Sequence, residues 1–113
     1  KSLKLIIGSP TVIVVCLSMS DMDVYLDEHR NNAELLMAVQ STAMAVQNLL
    51  LAAHAMGLGA CWRCAPLFCA DTVIHTLKLP QDWHPQALVT VGYPDETGKI
   101  PSRFSLSEVT RWL

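Results

Sequence analysis

Two cysteines separated by two residues form the motif in this sequence whose spacing could do chemistry. The string Cys61-Trp-Arg-Cys64 has the CxxC spacing that serves both metal ligation and dithiol redox reactions. A structural zinc site needs a second pair at similar spacing, and the nearby candidates are Cys69 and His75. A redox pair is typical of a helix N-terminus, whereas the residues around this one have the pattern of a strand. We interpret the cysteines as small, reduced, apolar side chains, and we expect no metal site.

The elements that must position any site are strands and helices of strongly apolar character. Residues 10–17 are rich in β-branched side chains without alternation, which predicts a central strand buried on both faces. Residues 18–28 are polar and acidic and predict a surface loop. Residues 30–56 contain no Pro or Gly and predict one long helix, which Gly57 ends as a left-handed cap. Further strands are predicted at 58–63 and 86–93, and short helices at 71–77 and 105–112, the last with a capping box.

This order of elements predicts an α+β fold, an α/β sandwich with a small central sheet packed on a long buried helix. At about 1.5 Å per residue the helix would be about 40 Å long, which exceeds the diameter of so small a domain. We therefore expect the helix to be buried nearly all round in something larger than one chain. We also expect His54, on this helix, to be a hydrogen-bonded core histidine.

Composition excludes several classes of function. The chain has 113 residues, of which 51% are hydrophobic and 16% charged, whereas ordinary soluble domains carry about 25% charged residues. This balance excludes intrinsic disorder, and a net charge of −2 with 6% aromatic residues excludes a nucleic-acid interface. We expect residues 1–113 to form a single domain. Its excess apolar surface must be covered by a partner subunit, a cofactor or a membrane.

A membrane span is the least favoured of those three. Residues 35–62 contain no charged side chain, but they include Gln40, Gln47, Asn48 and His54 near the middle, where a bilayer makes polar groups costly. Neither end carries a cluster of Lys or Arg. The first residues contain too short an apolar run for a signal peptide. We therefore expect a cytoplasmic protein that does not bind a membrane.

Four blocks of sequence, in order, resemble the nitroreductase family of flavin enzymes. They are residues 45–62, 77–80, 87–94 and 103–109. Within that family, residues 65–69 and 79–85 are most similar to the flavin-binding C-terminal domain of the bifunctional enzyme that matures the deazaflavin coenzyme F-420. The resemblance covers nearly the whole chain and implies the nitroreductase-like fold.

The resemblance also implies an activity. Family members form intertwined homodimers with FMN at the interface. They pass reducing equivalents from NAD(P)H or a reduced deazaflavin through FMN to a small-molecule acceptor. The flavin does the chemistry and the protein orients it, so we expect no obligate catalytic acid or base.

Six residues match positions that hold the cofactor in the family. The segment formed by Trp62, Arg63, Cys64 and Ala65 matches the turn beside the flavin ring, where backbone N–H groups face the reactive nitrogen. Arg103 matches a basic residue that grips the FMN phosphate, and Lys99 is a second candidate. Many relatives have Gly where this chain has Ala65, which implies a slightly tighter site.

The chain departs from the family pattern in its length. Family members are nearly twice as long and begin with an arginine-rich segment that holds the FMN phosphate. We therefore expect the N-terminal part of the domain to be missing, and this sequence to be part of a longer protein. Two alternatives follow for the function: the flavin-binding or deazaflavin-binding domain of a coenzyme F-420 biosynthesis enzyme, and a non-catalytic dimerisation module.

Overall fold

The computed structural model describes residues 2–113, with three strands, four α-helices and one 3-10 helix. In chain order they are α1 (Ser2–Gly8), β1 (Thr11–Ser18), α2 (Glu28–Ala55), β2 (Gly59–Arg63), the 3-10 helix (Ala65–Phe68), α3 (Ala70–Leu77), β3 (Trp83–Gly92) and α4 (Leu106–Val109). All the predicted strands and helices are present, and α1 was not predicted. The last helix ends at Val109 and not at Trp112, because Thr110 already has extended backbone angles. Lys1, where the predicted domain begins, lies outside the described residues.

The three strands form one antiparallel sheet in the order β1-β3-β2. Val89 on β3 pairs with Ile13 on one side and with Trp62 on the other. The prediction that β1 is a central strand buried on both faces was therefore wrong: β1 is an edge strand, and β3 is the centre. A run of β-branched residues predicts a strand, but it carries no information about which neighbours that strand acquires.

A β-bulge explains why β3 begins earlier than predicted. Val15 pairs with Ala87 while Cys16 pairs with Pro85, so Gln86 has no residue opposite it on β1. Proline has no N–H to donate to a ladder, and a bulge is one of the few positions in a sheet that tolerates it. The strand therefore continues through Pro85 to Trp83.

The N-terminus of α2 is fixed by a cluster of side chains. Asp27 caps the helix by accepting a hydrogen bond from the backbone N–H of Arg30 at 2.9 Å. The Arg30 side chain also forms an ion pair with Asp27. Asn31 reaches back to Tyr25, accepting from its N–H at 2.8 Å and donating to its carbonyl at 2.9 Å. The Arg30 guanidinium lies 4.6 Å from the centre of the Tyr25 ring.

The cap at Asp27 predicts acid sensitivity of this helix end. Hydrogen bonds from the backbone and side chain of Arg30 lower the pKa of the Asp27 carboxyl. A carboxyl whose pKa is lower in the folded state stabilises the fold above its unfolded pKa, and this stabilisation is lost as pH falls through the folded pKa. We expect the free energy of unfolding in urea to fall as the pH is lowered in the acidic range. The fall should be smaller in Asp27→Asn than in the unmodified chain. A parallel loss in both proteins would contradict this role.

Gly57 terminates α2 just beyond its last residue, Ala55, as predicted. Gly57 has φ of +75°. Its N–H donates to the His54 carbonyl at 3.0 Å, and the Leu58 N–H donates to the Ala53 carbonyl at 2.9 Å. This is the Schellman arrangement, which satisfies carbonyl groups that have no partner within the helix.

Replacing Gly57 by alanine should destabilise the chain without any steric clash. A Cβ at this position would meet no atom within 4 Å, so the cost comes from the left-handed backbone alone. We expect a loss of about 1 kcal/mol in the free energy of unfolding, measured by urea denaturation. Gly98→Ala is the matched control, since a Cβ there also meets nothing within 4 Å and no positive φ is involved. Equal effects of the two substitutions would contradict the argument.

The long helix α2 is mostly exposed within this single chain. Ala38, Val46 and Ala53 are its buried residues. Large apolar side chains are exposed along its length: Leu35, Leu36, Met37, Val39, Met44 and Leu51. The prediction places this helix inside something larger than one chain, and the small sheet of this chain covers only one side of it. Covering the rest requires surface from outside this chain.

The same helix has the length and composition of a membrane span. Among the described residues it is the helix that meets this criterion, with a mean hydropathy of 1.5 over its most apolar window, of which 11% is buried. Core helices of soluble proteins meet the same criterion, so it is weak evidence. The expectation that the protein does not bind a membrane stays a prediction.

Candidate functional site

The segment from Trp62 to Ala65, here called the turn, runs from the last two residues of β2 into the 3-10 helix. Trp62 pairs with Val89 and Arg63 pairs with Leu88, which fixes the direction in which the chain leaves the sheet. Cys64 is the N-cap of the 3-10 helix, and Ala65 is its first residue. The four residues predicted to face a flavin are therefore one continuous strand-to-helix turn.

A buried proline anchors the far side of this turn. Pro66 is fully buried, and the 3-10 helix packs against β3. The Leu67 N–H donates to the Cys64 carbonyl at 3.0 Å, and the Cys69 N–H donates to the Pro66 carbonyl at 3.1 Å. Pro66 has no N–H and the Leu67 N–H is already bonded, so Ala65 supplies the backbone donor at the start of this helix.

The exposed side chains at the turn are small. The Trp62 indole N–H donates to the Cys64 sulfur at 2.8 Å, which holds the ring along the chain. Trp62 and Arg63 are half-buried, whereas Cys64 and Ala65 are exposed. A small exposed residue such as Ala65 permits close approach of a planar ligand to the backbone. Residues 59–69 contain no acidic side chain that would repel an electron-rich ring or a phosphate.

The CxxC cysteines are free thiols in a geometry that does not favour a disulfide. Cys61, Cys64 and Cys69 are all exposed. Cys61 lies in β2, and a strand rise of about 3.3 Å per residue separates Cα atoms three residues apart by about 10 Å. A disulfide needs Cα atoms closer than about 7 Å. Over residues 2–113, no group of three His, Cys, Asp or Glu side chains is arranged to hold a metal ion.

Lys99 lies after β3, on the exposed segment 94–101. It lines an open cleft of about 940 Å³ between the end of α2 and residues 94–101. None of the residues from Trp62 to Ala65 lines this cleft. His54 does line it and is exposed, so the prediction of a core histidine was wrong. His54 lies in the last turn of the helix, close to Gly57. That position was the signal in the sequence that its side chain is exposed.

Arg103 lies in an exposed segment that precedes α4. Its side chain is exposed and lines neither the cleft nor the groove described below. The structure thus joins Trp62, Arg63, Cys64 and Ala65 in one turn and leaves Lys99 and Arg103 apart from it. Their predicted role in cofactor binding remains a prediction.

A second concavity was not predicted from the sequence. This β1–α2 groove has a volume of about 480 Å³ and lies between the edge strand and the long helix. Ser18, which lines the groove, donates a hydrogen bond to the Asp82 carboxylate at 2.7 Å. An apolar strand together with the uncharged stretch of α2 from residue 35 onward was the available signal. The other lining residues are 13–17, Ala45, Val46, Leu49 and Trp83.

Solved structures share the fold of this chain. A protein from Desulfovibrio desulfuricans, named as a nitroreductase in complex with FMN, is 33% identical, with a TM-score of 0.72, over 91% of this chain and 54% of its own. A protein from Parabacteroides distasonis, named as an NADH dehydrogenase/NAD(P)H nitroreductase, is 28% identical, with a TM-score of 0.69, over 91% of this chain and 55% of its own. One from Clostridium acetobutylicum, named as an NADH oxidase, is 25% identical, with a TM-score of 0.69, over 90% of this chain and 57% of its own.

These likenesses define a nitroreductase-like fold, of which this chain is a part. It spans about half the length of the solved structures that it matches. The model of the family described as "Nitroreductase family" matches residues 1–93. The chain belongs to the nitroreductase family, which confirms the resemblance to that family and the nitroreductase-like fold predicted from the sequence.

Proposed function

We propose that this chain is the C-terminal portion of an FMN-dependent oxidoreductase. The observation that carries the proposal is the likeness to the Desulfovibrio desulfuricans protein, which is named as a complex with FMN. Likeness to proteins named for NADH or NAD(P)H supports a nicotinamide as the electron donor. The proposed acceptor is a small organic molecule.

The residues at the turn fit a flavin. The exposed side chains of Cys64 and Ala65 are small, and residues 59–69 carry no negative charge. Arg103 and Lys99 supply cations on the exposed C-terminal segment, and a guanidinium offers paired donors to a phosphate. Bound FMN would supply the electron-transfer chemistry.

The residues of this chain would bind the flavin and orient its ring. The turn would direct its backbone N–H groups at the ring, because the pairing of β2 with β3 and the buried Pro66 restrict its movement. The half-buried Trp62 would keep water from one side of the turn. No side chain is assigned a proton-transfer step.

A homodimer is the assembly that we propose for this enzyme. The exposed apolar surface of α2 is the support for it, since exposed patches of this extent mark interaction sites. We also propose a cytoplasmic location for this enzyme. Sedimentation of the purified chain should give twice the monomer mass of 12.4 kDa.

A second candidate is a role in coenzyme F-420 biosynthesis, with a deazaflavin as donor or substrate. It rests on the resemblance of residues 65–69 and 79–85 to that subgroup. The 3-10 helix from the first segment packs against β3, which begins in the second. Reductase rates measured with NADH, NADPH and a reduced deazaflavin decide between the two candidates. The role in coenzyme F-420 biosynthesis requires activity with the deazaflavin, whereas the first candidate does not.

Titration of the chain with FMN, followed by flavin fluorescence, tests the proposal. We expect quenching at micromolar FMN and about tenfold weaker binding by Arg103→Ala, the loss of one charge-assisted phosphate contact. Lys4→Ala, which removes another exposed cation, is the control and should bind as the unmodified chain does. Equal weakening by both variants would indicate general charge attraction and not a phosphate site.

Absence of quenching by a folded dimer would contradict cofactor binding by this chain. The non-catalytic dimerisation module, the third function considered from the sequence, would then be favoured. Circular dichroism and sizing of the same sample would show that the chain is folded and dimeric.

A further inference from the structure

A hydrogen bond between two side chains connects the turn to the sheet. The Trp62 indole N–H donates to the Cys64 sulfur at 2.8 Å. An indole has one donor and no acceptor, and its N–H usually finds a partner when the ring is buried. Trp62 pairs with the completely buried Val89 on the central strand, whereas Cys64 lies just beyond β2. The bond therefore ties the first residue outside β2 to the middle of the sheet.

The backbone of Cys64 sets the direction of the donor in this turn. The Ala65 N–H belongs to the planar peptide unit between Cys64 and Ala65, so its direction follows the ψ angle of Cys64. Cys64 has φ of −79° and ψ of 9°, which are the angles of neither a strand nor an α-helix. The Cys64 carbonyl, on the opposite side of the same peptide unit, accepts the Leu67 N–H at 3.0 Å. That bond leaves the Ala65 N–H directed away from Leu67.

Packing restrains this peptide unit little, because Cys64 and Ala65 are both exposed. We propose that Trp62 is a positioning residue for the cofactor. Through the Cys64 sulfur, its indole N–H holds the peptide unit with the Ala65 N–H directed at the flavin ring. The inference rests on the proposed FMN site and adds the side chain that orders the backbone donor of that site.

Substitutions can separate the hydrogen bond from the bulk of the indole. Trp62→Phe keeps an aromatic ring and removes the N–H, and Cys64→Ala removes the acceptor. If the bond is the cause, the two single variants should have the same effect, and the double variant should have no larger one. Cys64→Ser keeps an acceptor, so its effect should be smaller than that of Cys64→Ala.

Amide hydrogen exchange without FMN tests the positioning by itself. The Leu67 N–H reports on the peptide unit, because it is bonded to the Cys64 carbonyl. We expect it to exchange about fivefold faster in Trp62→Phe and in Cys64→Ala, as the loss of one net hydrogen bond implies. Trp83→Phe is the matched control, since Trp83 is 44% exposed and begins β3, outside the turn. Exchange at Leu67 should be unchanged in the control.

The reduction potential of bound FMN tests the direction of the donor. A ring nitrogen that accepts the Ala65 N–H carries its own hydrogen after reduction, so the donor favours oxidised over reduced FMN. In Trp62→Phe we expect about fivefold weaker binding of oxidised FMN and little change for reduced FMN. The midpoint potential should then rise by about 20 mV, which is the two-electron equivalent of a fivefold change. Equal weakening of both forms, with an unchanged potential, would indicate a loss of bulk and would overturn the positioning role.

The outcomes separate this inference from the proposed function. An unmodified chain that binds no FMN overturns the cofactor site and the positioning role together. A chain that binds FMN, with Leu67 exchange and FMN affinity unchanged in Trp62→Phe, overturns the positioning role alone. Additive effects of Trp62→Phe and Cys64→Ala would show that the two side chains act independently, which also overturns it.

Discussion

Replacing Val89 by aspartate is expected to unfold the chain. Val89 lies at the middle of the central strand, is completely buried, and pairs with Ile13 and Trp62. A carboxylate at this position would lose its hydration without a hydrogen-bonding partner, at a cost of several kcal/mol. Domains of ordinary stability have only about 5–15 kcal/mol to lose. Circular dichroism should therefore show no cooperative thermal transition.

The control for this substitution is Val24→Asp. Val24 is 90% exposed, so its carboxylate stays hydrated and the melting temperature should change little. If Val89→Asp cannot be purified, Val89→Ala gives a measurable version, with an expected loss of about 2 kcal/mol from the removed methyl groups and the cavity. A melting temperature unchanged in Val89→Ala would contradict the assignment of this residue to the core.

Replacing Ala65 by leucine should abolish FMN binding while the fold persists. The side chain is exposed, so a larger one meets solvent and not the core. In the proposed site that space belongs to the flavin ring, and three added carbon atoms would keep the ring from the backbone donors. We expect FMN affinity to fall at least about 100-fold, or about 2.7 kcal/mol, with reductase activity lost in parallel. Fluorescence titration measures the affinity.

The matched control is Ala33→Leu, the same enlargement at an exposed position in the first turns of α2. It should bind FMN as the unmodified chain does. Undiminished FMN binding by Ala65→Leu, in a protein with a normal melting temperature, would show that the turn does not face the cofactor. The site would then have to be sought elsewhere, beginning with the cleft that Lys99 lines.

Local signals in the sequence predicted the elements well. The absence of Pro and Gly from residues 30–56 and the presence of Gly57 were sufficient for α2 and its cap, because both effects act within a few residues. The same holds for the capping box of α4, which was predicted from Ser105 and Glu108 alone. The four residues from Trp62 to Ala65 were grouped through the family resemblance, and they run from the end of β2 into the 3-10 helix.

Tertiary relations were predicted less well. The apolar character of β1 could not reveal that it lies at the edge, since that depends on where β3 pairs. The α2 side chains predicted to be buried are exposed because this chain supplies cover on one side only. Arg103 and Lys99 were grouped with the turn through the family resemblance. Their side chains lie on exposed segments whose position no local pattern determines.

The order of the strands has a consequence for how the chain is made. Both outer strands pair with β3, which is synthesised after the other two described strands, and Thr11 pairs with Val91, far along the sequence. Contacts of such sequence separation form slowly, because the long loop between them must close first. At about 5–20 residues per second, α2 leaves the ribosome seconds before β3 is complete. We expect chaperones that recognise apolar helices to bind the nascent chain in that interval.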